Sequence, residues 1–369
     1  MTMPSNATNL VDGRENMTGI RNNVLVMPSV ICSHIVADQI ADAVPSAVST
    51  PHDHGCAQIG SDETITRRTL INVGLNPNVA GAVIVGLGCE TVQSNGIVSG
   101  MQEGGLPVES VVIQEIGGTD DCIAAGIEYA KGLVQQRGEA GSESVTLGDL
   151  TIGIVSSDVR DSTRESAEPL ACDLIDQVVD AGGRVVMAGK ERFLTDKTVL
   201  AERTATPTVA DSVREHVAAN AGHFSRMRPA SRDAVSLDSD EKLDIIGEHE
   251  IATILDYGER ATHDQGIAIV DAAMQFGEAA TALSAAGAQL IVHLTADGIP
   301  TGHPVVPVLK ITGEEQTAAA MGADIDIDAR NTTVDTLRET VLAVANGHPT
   351  CAEQHGVSQF SITRFGPSM

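Results

Sequence analysis

The sequence predicts an α/β protein with two parallel-sheet α/β domains and a strand-end site between them. Three observations carry that prediction. Short Val/Ile runs alternate with helical segments along most of the chain, and such repetition implies parallel strands joined by right-handed crossovers. A polar, Gly/Ser/Glu-rich stretch over 136–148 separates two such series and reads as a linker. Several apolar runs end in His, Cys, Glu or Gly-rich segments, and ligands of open α/β sheets bind beyond the carboxyl ends of the strands.

Taken in order, residues 1–18 are polar and read as a disordered leader rather than a signal peptide. The first α/β domain is expected over 19–135. Its first strand, from Asn23 to Ile31, runs into Cys32-Ser33-His34, with a helix at 35–44 that Ser33 could cap. The run from Ala47 to Pro51 leads into His52-Asp53-His54-Gly55-Cys56-Ala57-Gln58 and a helix at 62–75. The run from Ala82 to Gly88 leads into Cys89-Glu90 and a helix at 91–101. A fourth strand, Val111-Val112-Ile113, leads into Gln114-Glu115-Ile116-Gly117-Gly118-Thr119 and a helix at 120–134. The second α/β domain is expected over 149–369. It opens with a strand at 150–155, a helix at 168–181 stopped by Gly182-Gly183, and a strand at 184–188. A polar excursion or lid occupies about 200–245, and strands return at 267–270, 290–294, 305–311 and 325–327.

Composition narrows the function classes. The 369 residues suffice for two or three domains, and at 2% aromatic content the core must be aliphatic. A net charge of -27 argues against a nucleic-acid partner, and the chain lacks the aromatic platforms on which bases stack. The acidity is dispersed and only five lysines occur, a pattern resembling cytosolic proteins of high-salt organisms. At molar salt the Debye length falls to roughly 3 Å and quenches self-repulsion. Six scattered cysteines with no C-x-x-C exclude zinc ribbons and fit a reducing cytoplasm. The longest uncharged apolar run, from Val79 to Gly88, is too short to span a bilayer.

The strand ends nominate the chemistry. His52, His54 and Cys56 are spaced by two, so an extended segment would place them on one side. Together with His34, Cys89 and Glu90 they suggest metal binding, acid–base chemistry or both; the blander alternative packs Cys56 under the sheet and leaves the histidines exposed. Gly117-Gly118-Thr119 opens a helix and could hold a carboxylate through free N–H groups, or could be an ordinary turn. Ser157 and Asp158 close a strand in the second domain. Arg260 could clamp a carboxylate, and the loop from Thr295 to Pro304, with Thr301 and Gly302, suits hydroxyl recognition. His216, His223, His249 and His263 read as surface residues.

The motif run from Pro51 to Gln58, the pair Asn76-Pro77-Asn78-Val79 and Val85-Gly86-Leu87-Gly88-Cys89-Glu90, and the run from Ile113 to Thr119 resemble the altronate/galactarate dehydratase family. So do the run from Ala286 to Ile291, the run from Gly298 to Gly302, and Pro307-Val308-Leu309-Lys310. The likeness covers about 19–365. It implies a lyase that removes water from a sugar acid or other 2-hydroxy acid with a divalent metal, Fe2+ or Mn2+. His52 or His54 is then expected to be the base, Cys89 and Glu90 to be catalytic, and His34, His54, Cys56 and Glu90 to be metal ligands. Gln114, Gly117, Gly118, Thr119, Ser157, Asp158, Arg260, Thr301 and Gly302 are expected to bind substrate. The sulfolactate sulfo-lyase large subunit resembles the same group and expels sulfite instead; a non-catalytic scaffold is a third reading. Two departures stand out. Full-length family dehydratases begin with a small SAF domain, whereas this chain starts near Thr18-Gly19-Ile20-Arg21-Asn22, so a separate SAF subunit and an oligomer are expected. The family's Cys-Gly-Gly-Ser-Asp stretch reads Ile154-Val155-Ser156-Ser157-Asp158 here, which keeps the acid and loses the thiol and glycines.

Overall fold

A computed structural model describes residues 19–137, 145–220, 229–364 and 366. The expected leader at 1–18 lies outside the described residues, as does 138–144 within the expected linker. The chain forms two all-parallel sheets, as its alternating pattern requires.

The first sheet has the order β2-β1-β3-β4, with β1 at Asn23–Pro28, β2 at Ala47–Ser49, β3 at Val79–Gly86 and β4 at Val108–Val112. Helices α1 (His34–Asp42), α2 (Ser61–Gly74) and α3 (Ser94–Glu103) make the crossovers, and α4 (Thr119–Gln136) follows β4. Successive strand residues face opposite sides. Val24, Val26, Val83 and Val85 pack with Ile40 of α1 and Ala130 and Leu133 of α4, while Leu25, Met27, Ala82 and Ile84 pack with Leu70 and Val73 of α2 and Ile97 and Met101 of α3. Both faces are covered, which is why these strands read as continuous apolar runs. Strand order reverses between β1 and β3, so their carboxyl ends flank the crevice where such sheets bind ligands.

The second sheet has the order β11-β10-β9-β5-β6-β8-β7. Its strands are β5 (Thr151–Ser156), β6 (Arg184–Ala188), β7 (Ile251–Leu255), β8 (Gly266–Val270), β9 (Leu290–Leu294), β10 (Val308–Thr312) and β11 (Ile327–Asp328). One face packs on α5 (Glu168–Asp180) and on a later helix at Val334–Ala345. Between β6 and β7, in the expected excursion, short helical pieces flank α6 (Pro207–Asn220), and Val213, Val217, Leu243, Ile245 and Ile246 are buried there. His216 is not a surface residue as expected: only 14% of its side chain is exposed, and it contacts Asp271 at 2.9 Å. His223 lies outside the described residues.

The two sheets share one core through α7 (Phe276–Ala285), buried at every position except Glu278. Polar ties reinforce it. Asn76 Nδ2 donates to Ser284 O and Ala288 O, both at 2.8 Å, and its Oδ1 accepts from Asn78 N at 2.9 Å. Asn78 Nδ2 donates in turn to Gln289 O and Val305 O at 2.9 and 3.3 Å. Fully buried amides whose two N–H groups and oxygen are all hydrogen-bonded lock register rather than merely filling space. A buried bidentate pair, Arg192 with Glu168 at 2.5 and 3.1 Å, pins the 190–193 turn to α5. No described helix is long and apolar enough to cross a membrane.

Candidate functional site

At the switch point of the first sheet, the chain after β3 turns back through Gly88 (φ 117°), a conformation that favours glycine. Glu90, 2% exposed, braces this turn. Its Oε2 accepts from Gly88 N at 2.6 Å, and its Oε1 accepts from the Ser29 hydroxyl after β1 at 2.9 Å. Burial opposes ionisation of this carboxyl, but N–H groups of its own residue and Gly88, with the Ser29 hydroxyl, outweigh it and hold the pKa below the ordinary value.

The loop after β2 lies across the same crevice. His52 Nε2–H donates to Pro28 O (2.8 Å), and its Nδ1 accepts from His54 N (3.2 Å). His54 Nε2–H donates to Ile362 O (2.9 Å), and its Nδ1 accepts from Gln58 Nε2 (3.1 Å). Burial lowers the His52 pKa to about 4 and also lowers that of His54. His52 and His54, between which the base was expected, thus each have both ring nitrogens in hydrogen bonds within the fold. The spacing-two argument fails because Gly55 (φ 93°) and Ala57 (φ 51°) break the extended segment, leaving Cys56 exposed.

Cys32, Cys56 and Cys89 are all exposed at this edge. Their loops are directly joined: Ile31 N donates to His54 O at 2.9 Å, and Thr91 N donates to Gly55 O at 3.0 Å. Gln114 Nε2 reaches Cys89 Sγ at 3.6 Å. Gly117 and Gly118 form the left-handed turn into α4, and Gly118 N already donates to Ile113 O, so that corner follows the edge strand β4 and one of its free donors is used. His34 is half-buried, with Nδ1 against Ile31 O.

The second sheet reverses order between β5 and β9. Asp158, after β5, receives Arg160 N (3.1 Å) and the Thr163 hydroxyl (2.6 Å) on Oδ1 and Ala296 N (2.8 Å) on Oδ2, which joins the two strand ends. Ser157 Oγ lies 2.6 Å from Nε2 of His293, a fully buried ring of β9 stacked on Phe276 at 4.3 Å. Burial, with help from Lys310, drops the His293 pKa to about 3, so the ring is neutral. His293 Nδ1 has no hydrogen-bond partner among the described residues. Sequence reasoning missed His293, since one His inside an apolar strand breaks no pattern. Ser157 and Asp158 line a cavity of about 560 Å3 with Arg160, Gln275, Asp297 and Gln359.

Arg260 donates to Leu75 O at 3.0 Å across the domain boundary. Gly302 forms a backbone bridge, its N–H to Val357 O and its carbonyl to Gln359 N, both at 3.0 Å. Thr301 lies just before that bridge, its hydroxyl buried with no hydrogen-bond partner among the described residues. This bridge anchors the segment that links the two switch points: Gln359 lines the cavity, the Phe360 ring lies 6.2 Å from His52, and Ile362 O receives His54.

The D-galactarate dehydratase/altronate hydrolase second-domain profile matches residues 13–137, and the D-galactarate/altronate dehydratase C-terminal profile matches residues 241–368. The chain belongs to the D-galactarate/altronate dehydratase family. Membership points to a hydro-lyase, an enzyme of the carbon–oxygen lyase class. The (2R)-sulfolactate sulfo-lyase subunit beta of Chromohalobacter salexigens is 26% identical over 94% of this chain and 94% of its own length. Altronate dehydratases of Escherichia coli and Bacillus subtilis are 26% and 24% identical, over 95% and 96% of this chain and 76% and 77% of theirs.

The single divalent ion that the family resemblance implies does not fit the donors expected for it. Cys56 is exposed, His34 is half-buried with Nδ1 against Ile31 O, the ring nitrogens of His54 and both Glu90 oxygens are engaged, and among the described residues no three His, Cys, Asp or Glu side chains gather closely enough to hold one ion.

Proposed function

We propose that this protein eliminates water from a 2,3-dihydroxy carboxylic acid to give a 2-keto-3-deoxy acid. The observation that carries the reading is the cavity of about 560 Å3 at the β5/β9 switch point of a hydro-lyase family member. Its walls carry groups suited to a small polyhydroxy acid: the Gln275 and Gln359 amides and the Ser157 hydroxyl for hydroxyls, and the Arg160 guanidinium, paired with Asp297 at 2.5 Å, as the cation a carboxylate would share. In the reaction the C2 proton leaves to a base, the C2–C3 double bond forms, and the C3–O bond breaks as its oxygen takes a proton. The enol then tautomerises to the ketone. Ser157, oriented by the neutral His293 ring 2.6 Å away, is the hydroxyl placed to move a proton on this wall. A separate SAF-domain subunit and an oligomeric assembly belong to the same reading.

A second reading, release of sulfite from a sulfolactate, is favoured by the end-to-end match to the sulfo-lyase subunit beta. One experiment separates the two. The purified chain, alone and with a co-expressed SAF subunit, is given aldonates, aldarates and sulfolactate under anaerobic conditions in high salt. A 2-keto-3-deoxy product without sulfite supports the dehydratase, sulfite supports the second reading, and silence in every combination refutes both.

A further inference from the structure

The charged residues that line the β5/β9 cavity are Asp158, Arg160, Asp233 and Asp297, three acids to one cation. Arg160 is already shared with Asp297 at 2.5 Å, and both oxygens of Asp158 receive donors of the fold. Asp233 stands exposed on the wall contributed by the helix at Pro229–Val235, within the excursion between β6 and β7. We propose that Asp233 is a specificity-determining residue, which confines this site to acids that carry one anionic group and a neutral polyol tail.

The fold fixes the helix that carries Asp233. The Ser231 hydroxyl donates to Glu191 Oε1 at 3.0 Å, and Glu191 Oε2 accepts from Met274 N at 3.0 Å. Ser231 and Glu191 are both buried, and Met274 lines the same cavity, so one buried carboxylate ties the helix to a second wall of the site. Ala234, fully buried, seats the position after Asp233. Ala230 and Asp233 are three residues apart and so share one helix face, and both line the cavity. Arg232, the neighbouring cation, is exposed and is not among the lining residues. The two family profiles match 13–137 and 241–368, so Asp233 comes from a stretch that neither describes.

Charge then sorts the acids that fit. One guanidinium, shared with Asp297, pairs with one carboxylate of a ligand. A second carboxylate finds no further cation among the lining residues and meets Asp233 instead. A hydroxyl at the same place donates to Asp233 and is welcome there. Like charges roughly 5 Å apart, in a medium between protein and water, weaken binding by about tenfold. Selectivity of this kind works by repelling the wrong ligand as much as by holding the right one. Aldonates therefore fit, whereas aldarates are rejected, and so is sulfolactate, whose sulfonate is a second fixed anion. The inference rests on the hydro-lyase reading for its site, but its test reads binding as well as turnover.

The purified full chain is titrated calorimetrically with a hexonate and with the hexarate of matching configuration, and the same pair is assayed for 2-keto acid. Both are done at the lowest salt that preserves the circular dichroism spectrum and again in molar salt. The wild type should bind the hexonate about tenfold more tightly, with the gap narrowing in molar salt as screening takes hold. Asp233→Asn should shrink the ratio of the two affinities about tenfold, and Asp233→Lys should reverse the preference. Asp335→Asn, which removes an exposed carboxylate on the helix at Val334–Ala345, should leave the ratio alone. Equal or tighter binding of the hexarate by the wild type, a ratio unchanged in both Asp233 variants, or a gap that ignores salt overturns the proposal. Selective binding without any 2-keto acid upholds it and counts against the hydro-lyase reading; dehydration of both acids with equal kcat/KM does the reverse. Binding of neither acid overturns both.

Discussion

Replacing Asn76 by Ala tests whether the two domains are held in register by a buried amide. The change removes three hydrogen bonds, those to Ser284 O, Ala288 O and from Asn78 N. At about 1 kcal/mol net for each, the direct loss is about 3 kcal/mol, and stranding the buried Asn78 N–H adds about 1–2 kcal/mol. The expected loss is therefore about 4 kcal/mol, a large share of a typical stability of about 5–15 kcal/mol. Urea unfolding in molar salt, followed by circular dichroism, reads this directly. With a slope of about 3 kcal/mol/M, the midpoint should fall by more than about 1 M. Asn76→Asp sharpens the test, because it keeps the acceptor for Asn78 N–H and turns a carboxylate oxygen on two carbonyls; it should be no more stable than the alanine variant. A loss below about 1 kcal/mol in Asn76→Ala, or a wild-type midpoint in Asn76→Asp, would refute the reasoning.

Four further outcomes are expected. Arg192→Leu leaves Glu168 buried without its bidentate partner and should cost about 3–5 kcal/mol in the same unfolding assay. Gly55→Ala places a methyl 2.2 Å from Ser29 O at φ 93°, so it should lower the thermal midpoint by several degrees; an unchanged melt would deny that the loop is fixed. The Asp271 hydrogen bond raises the His216 pKa, so this contact stabilises fully below about pH 6.5 and fades as pH rises through the folded value. His216→Gln should accordingly cost about 2 kcal/mol at pH 5.5 and less at pH 9, and a pH-independent difference would count against the pair. Ser157→Ala should lower kcat by roughly 10²–10⁴-fold with little change in KM, and a normal kcat removes Ser157 from proton transfer.

The legible parts of the fold were those whose physics is periodic or punctuated. Val24–Met27 and Ala82–Val85 show themselves because strands covered on both faces must be apolar throughout, and Gly182-Gly183 marks the end of α5. Strand β7 escaped because three of its five residues are only half buried, which blurs both alternation and run. Helix α7 escaped for the opposite reason, since burial on every side erases the apolar stripe that announces a helix. In the site, Ser157, Asp158 and the three exposed thiols were visible as polar residues after strands. Their partners were not, because His293 and Arg260 meet neighbours more than a hundred residues away, and sequence proximity to a loop says nothing of where a side chain turns.

The margins of the two sheets bear on solubility. Parallel sheets end in rows of unpaired backbone groups that can zip onto another chain. Here β2 runs for three residues and β11 for two, too short to template an added strand. On β4, Glu109 stands exposed at a free margin. On β7 the register slips between Ile251 and Thr253, and Thr204 pairs with Ile251 from outside. Each margin thus carries its own obstacle to strand addition, so under conditions where salt screens the acidic surface and chains approach freely, edge-to-edge aggregation is blocked by geometry rather than by charge.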